Sequence, residues 1–113
     1  MTAPARTEFT EVTLRSGDPE NRIAVIDVTG IITGIGPADM VATIKKQLKL
    51  AAADKRVKAV ILRIDSPGGE VMASDEIARV IREFEASKEN GPVIASMGGM
   101  AASGGYYVAA PCR

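Results

Sequence analysis

Pro92-Val93-Ile94-Ala95-Ser96-Met97-Gly98-Gly99-Met100-Ala101-Ala102-Ser103-Gly104-Gly105-Tyr106-Tyr107-Val108 is the stretch on which the fold turns. Val93-Ile94-Ala95 is a short apolar run that predicts a buried strand, halted at Gly98-Gly99. Small residues lead from there to Ser103, between Ala102 and Gly104, and Tyr106 to Ala109 continue as a buried helix. A serine among small residues at a strand-to-helix turn can hold its oxygen clear of the backbone. The free N–H groups and positive dipole end of the helix start favour negative charge developing beside it. The same pattern also suits close helix packing, with Ser103 serving only as a small residue. The residues alone leave both readings open.

Upstream, the chain repeats the same alternation. Ile23 to Val28 is nearly continuous in apolar content, the pattern of a strand covered on both faces, and Gly30 to Gly36 reads as a loop. A helix is predicted over about Pro37 to Ala53, with Pro37 at its first position and Asp39 in its first turn. Val41, Ile44, Leu48 and Ala51 recur on one helical face, and Lys45, Lys46 and Lys49 read as its solvated side. Val57 to Ile64 predicts a second buried strand that ends in a loop at Asp65-Ser66-Pro67-Gly68-Gly69. A second helix follows over about Met72 to Lys88, with Ile77, Val80, Ile81 and Phe84 as its apolar stripe, and Asn90-Gly91-Pro92 stops it. Ahead of all this, residues 1–7 read as a flexible tail. Phe9 to Leu14 reads as a strand adjoining Ile23 to Val28 across the turn cluster Ser16 to Asn21. Residues 8–113 then form part of one domain.

Strands alternating with helices predict an α/β domain with a mostly parallel sheet. Ligands in such sheets bind beyond the carboxyl ends of the strands. The glycines at 68–69 and 98–105 both lie at that end and are expected to face each other across one crevice.

Composition narrows the chemistry. The 113 residues hold no histidine, no tryptophan and one cysteine, Cys112, and the formal net charge is zero. An internal disulfide and a cysteine-rich metal site are excluded, as is a Ser-His-Asp triad within the chain. Charge balance and the lack of stacking surface speak against a nucleic-acid partner. No cofactor or metal is expected. Neither a signal peptide nor a membrane span is visible, since the apolar run Ile23 to Ile32 is interrupted by Asp27.

Three motifs bear on catalysis or binding. Gly68, Gly69 and Gly104 can offer backbone N–H groups to an oxyanion, or 68–69 can be a plain tight turn. The elbow Gly-x-Ser-x-Gly is not met, because Ala101 stands at its first glycine. Gly34-Ile35-Gly36-Pro37-Ala38-Asp39 is a poor dinucleotide fingerprint, with Asp39 where the third glycine belongs. Cys112 reads as a small core residue, and Tyr106 and Tyr107 as packing.

Ser96 to Tyr107 resembles the nucleophile segment of the signal peptide peptidase A family. Leu62 to Gly69 with Glu70-Val71-Met72-Ala73-Ser74 resembles that family's glycine loop, and Ile23 to Ile32 its opening strand. The resemblance implies a Clp-protease/crotonase-like spiral of strand-strand-helix units, incomplete at the C-terminus. It implies a serine endopeptidase that cleaves remnant signal peptides at the bacterial cytoplasmic membrane, takes apolar extended peptides, and works as a homo-oligomer. Ser103 corresponds to the nucleophile, and Gly69 (or Gly68) with Gly104 to the oxyanion hole. The family's base is a lysine well downstream of the serine. Lysines 45, 46, 49, 55, 58 and 88 do not sit in that motif, and the family's membrane anchor is not in this chain. The chain is accordingly expected to be the N-terminal part of the peptidase domain, inactive alone. The rivals are a non-catalytic scaffold or partner-binding module of the same fold, and an acyl-CoA enzyme of the crotonase type.

Overall fold

The computed structural model describes residues 12–36 and 39–113. Along the chain run β1 (Arg22–Ile32), α1 (Met40–Ala53), β2 (Val57–Gly69), α2 (Val71–Ala86), β3 (Val93–Ala101) and α3 (Gly104–Ala109). A single 3-10 turn at Lys88–Asn90 separates α2 from β3. All strands are parallel, in the order β1-β2-β3, so β2 is central.

Asp39 caps α1 rather than lying in its first turn: its carboxylate accepts from the Ala42 N–H at 2.9 Å. That satisfies one amide that the helix cannot pair internally. Val41, Ile44, Leu48 and Ala51 are buried as their spacing predicts. In α2, Ala73, Ile77, Ala78, Ile81 and Phe84 face inward, and the helix runs from Val71 rather than from Met72. Pro37 falls outside the described residues, as do the tail 1–7 and the first half of the segment Phe9 to Leu14. Residues 12–14 are described and form no strand.

The sheet corrects one expectation. Among the described residues one face is covered: Ile26, Val28 and Ile32 of β1, Val60, Leu62 and Ile64 of β2, and Val93 of β3 join the helices in a single core. On the other face Val25, Ile61 and Ile94 lie in register across the three strands, and Ile94 is 43% exposed. Asp27 and Arg63 pair beside them in two contacts of 2.6 and 3.0 Å. Apolar runs in parallel strands usually mean cover on both faces, and these residues match that rule in composition while meeting solvent on one side.

The strand ends also differ from expectation. β2 continues through Pro67-Gly68-Gly69, which pairs with β1 (Ile31 opposite Gly68, Ile32 opposite Gly69) instead of forming a loop. β1 likewise extends to Ile32, and β3 passes through Gly98-Gly99 to Ala101. Glycine lowers strand propensity but retains its N–H, and neighbouring strands supply the partners.

Leu62 is fully buried in the central strand. Leu62→Ala should therefore cost about 2–5 kcal/mol, read as a fall in the urea midpoint. Arg63→Ala, one residue on, should leave the midpoint nearly unchanged, because its ion pair with Asp27 is solvent-exposed.

Candidate active site

Three chain segments meet at the carboxyl end of the sheet. They are the end of β2 (Ser66 to Gly69), the turn Ala102-Ser103-Gly104, and the first turn of α2 around Ser74. The Ala102 N–H donates to the Ser66 carbonyl at 3.1 Å, joining the first two. Tyr107 N–H returns to the Ser103 carbonyl at 3.0 Å and starts α3 directly behind the serine.

Ser103 has φ 50° and ψ −119°, the one non-glycine residue with positive φ among the described residues. A side chain in that region is strained by about 1–3 kcal/mol, and such strain collects where geometry serves function. Ser103 stands at the cap position of α3, yet its hydroxyl makes no capping bond. Gly104 opens the helix, so its N–H has no carbonyl one turn behind it to bond.

Gly68 lies directly opposite. A Cβ placed on it would come 2.8 Å from the Gly104 nitrogen and 3.2 Å from Ser103 Oγ. Its φ of 105° is a second reason for glycine here. A Cβ on Gly104 would strike Ser74 Oγ, and one on Gly69 would strike the Ile32 backbone. These glycines let backbones touch, which explains their clustering better than loop flexibility does.

The two glycines of the pair 68–69 are held in different ways. Gly68 N–H donates to the Ser66 hydroxyl at 3.0 Å. Gly69 pairs with Ile32, whose carbonyl accepts from the following residue, Glu70, at 2.9 Å. Gly69 itself lies against the Ile32 backbone, which fills the place a Cβ would take. The opposite edge of β2 carries β3 and the serine turn.

Glu70 fastens the rim. Its carboxylate accepts from the Gly34 N–H at 3.0 Å and the Thr33 hydroxyl at 3.1 Å, tying the end of β1 to the start of α2. Tyr107 fastens α3 to α2 through a 2.6 Å bond from its phenol to Asp75. Both tyrosines are exposed rather than packed inside, so the expectation of pure packing is corrected for Tyr107. Sequence reasoning missed this bond; nothing in the spacing of residues 75 and 107 signals it.

Other expected groups lie elsewhere. Lys45 is held by Glu76 at 2.7 Å, Lys55 by Glu89 at 3.7 Å, and Lys58 Nζ donates to the Lys55 carbonyl at 3.0 Å. Among the described residues no hydrogen bond joins a lysine amine to Ser103. Cys112 is half-buried, and burial, with Glu85 nearby, pushes its thiol up to about 11, so it stays protonated at neutral pH. Asp39 occupies the start of α1 with its own carboxylate, where a dinucleotide's phosphate would have to sit. A groove of about 350 Å³ between α1 and α2, lined by Leu48, Ala52, Val80 and Phe84 with a charged rim, shares no residue with the serine cluster.

Residues 22–112 match the family model described as Clp protease. The chain is 46% identical over 91 residues to Protease 4 of Haemophilus influenzae, covering 78% of this chain and 14% of that protein. It is 40% identical over 96 residues to the chloroplastic serine protease SPPA of Arabidopsis thaliana (79% and 14% covered). A candidate signal peptide peptidase SppA of Enterococcus faecium is 34% identical over 110 residues, with 91% and 31% covered. The chain thus spans less than a third of the length of these relatives. Among solved structures, a ClpP1 mutant from Listeria monocytogenes superposes with TM-score 0.65 at 22% identity, covering 79% of this chain and 46% of that one. A membrane-bound stomatin-specific protease mutant gives TM-score 0.65 at 24% identity, over 81% and 41%. These superpositions establish the fold.

Two predictions follow from this geometry. Gly68→Ala should lower the melting temperature by several degrees, an overpacking cost of about 1–3 kcal/mol. Gly99→Ala, whose added carbon would meet nothing within 4 Å, should be tolerated. The bond and charge of Asp75 raise the Tyr107 phenol above its ordinary value of 10.0. The folded state thus holds that proton more tightly than the unfolded chain. The resulting stabilisation is fully present below pH 10.0 and is lost as pH rises through the higher folded value. Absorbance titration should show a late phenolate that Asp75→Asn shifts back down.

Proposed function

Because the chain belongs to the Clp protease family and, within it, to the signal peptide peptidase A group, we propose that it carries the nucleophile half of a serine endopeptidase site. Ser103 is the nucleophile. Its attack on a scissile carbonyl places negative charge on the carbonyl oxygen, and the amides of Gly69 and Gly104 take that charge. Gly68 is not a third donor in this reading, since its N–H is engaged by Ser66. Its part is to bring β2 within contact of the serine. The observation that carries the proposal is the strained backbone of Ser103, held against Gly68 and Gly104 with its hydroxyl free of a capping bond.

The base is a lysine outside these 113 residues. A serine hydroxyl is a weak nucleophile until a neighbouring base takes its proton, and a desolvated neutral lysine can do so. Substrates are apolar, extended segments of the remnant signal peptide kind, lying along the edge of β3 with main-chain hydrogen bonds. Val71, Met72, Met97, Met100 and Tyr106 support that class, since all are exposed apolar residues on the segments that flank Ser103. Assembly into a homo-oligomer and action at a membrane belong to the same proposal. Among the described residues no helix is long and apolar enough to cross a membrane.

A fluorophosphonate probe should label Ser103 in the gene product that carries this segment together with its lysine, and Ser103→Ala should abolish labelling. Complete insensitivity would transfer the protein to the scaffold reading. The 113-residue chain alone should show no useful peptide turnover, and turnover lost on Ser103→Ala would overturn that expectation.

A further inference from the structure

Ser66 is fully buried and polar, and both sheet ladders change register beside it. From Thr29 opposite Asp65 to Ile31 opposite Gly68, the chain advances two positions on β1 and three on β2. From Ile64 opposite Met97 to Ser66 opposite Ala101, it advances two on β2 and four on β3. Such irregularities leave backbone groups without ladder partners, and inside a protein an unpaired group costs about 1–3 kcal/mol.

The Ser66 hydroxyl closes the gap on the β1 side. It donates to the Gly30 carbonyl at 2.6 Å and accepts from the Gly68 N–H at 3.0 Å. On the β3 side the Ser66 carbonyl accepts from Ala102, the residue before the nucleophile. One residue thus holds β1, the glycine pair and the serine turn. A hydroxyl can do this because it donates and accepts at once. A Cβ on Gly105 would lie 2.7 Å from the Ser66 carbonyl oxygen, so the start of α3 is seated on the same point.

We infer that Ser66 is a positioning residue: by holding the Gly68 amide toward β1, its hydroxyl turns the next peptide so that the Gly69 amide faces Ser103. The inference rests on the reading of Ser103 as nucleophile with Gly69 and Gly104 as oxyanion donors. With the hydroxyl removed, Gly68 N–H and Gly30 C=O both lose their partner. The peptide between Gly68 and Gly69 is then held only by the pairing with Ile31 and Ile32, and glycine adds no steric barrier to its rotation.

The test compares the parent chain, Ser66→Ala, Ser66→Cys and Val28→Ala, each labelled with 15N-glycine. Val28→Ala is the control for general loss of stability, being buried on β1 away from the turn. In the parent, the Gly68 amide should be protected from hydrogen exchange. In Ser66→Ala that protection should fall at least tenfold and the Gly69 and Gly104 resonances should move, while Val28→Ala leaves both resonances in place. Ser66→Cys preserves volume with a weaker hydrogen-bonding group and should fall between; it carries the comparison if Ser66→Ala does not fold. Phosphonylation of Ser103 by a fluorophosphonate at pH 10, where hydroxide can take the serine proton, is followed by intact mass. It should slow at least tenfold in Ser66→Ala and not in Val28→Ala. Unmoved Gly69 and Gly104 resonances, or an undiminished labelling rate, would overturn the inference. A parent chain that is never labelled marks a serine without its base, the nucleophile reading is then decided by labelling of the gene product that carries the lysine, and the resonances decide the role of Ser66.

Discussion

The site depends on one close approach, that of the end of β2 to the turn before α3. Gly68 stands so near Ser103 and Gly104 that no side-chain carbon fits between them. Backbone contact of this kind has no tolerance for a shifted strand, so each segment must be held independently. Ser66 holds the glycine pair from inside the sheet, Glu70 ties the end of β1 to α2, and Tyr107 ties α3 to Asp75. The strained φ of Ser103 persists because these bonds over-determine the turn.

The sheet supplies the frame. Its central strand buries alternate residues from Val60 to Gly68 along one face, and all three helices pack on that side. The buried row therefore runs from the core straight to the carboxyl end of the sheet, with Ser66 as its polar member. The opposite face keeps Val25, Ile61 and Ile94 in contact with water, tempered by the Asp27–Arg63 pair. Composition cannot distinguish a strand covered on both faces from one whose second face is open, because the same β-branched residues serve either.

The glycines show where local reading stops. Gly68-Gly69 and Gly98-Gly99 look like loops because glycine is a poor strand former, yet each is carried inside a strand by its neighbours. Their purpose differs as well. Gly68, Gly69 and Gly104 are filled from outside by other backbone or by Ser74, whereas Gly99 faces open space. The sequence treats all of them alike.

The chain's own residues determined the alternation of strands and helices, and the helical faces carrying Val41, Ile44 and Leu48 or Ile77 and Ile81. They also placed Ser103 at a strand-to-helix turn, since small residues and hydrophobic periodicity are local signals. Tertiary structure alone decided that the Gly68 amide is taken by Ser66, that β2 bulges at Ser66, and that Tyr107 reaches Asp75. The direction of an amide follows from which strand lies on each side and in what register. Both are set by contacts between residues more than thirty positions apart, such as the 36-residue separation of Ser66 and Gly30.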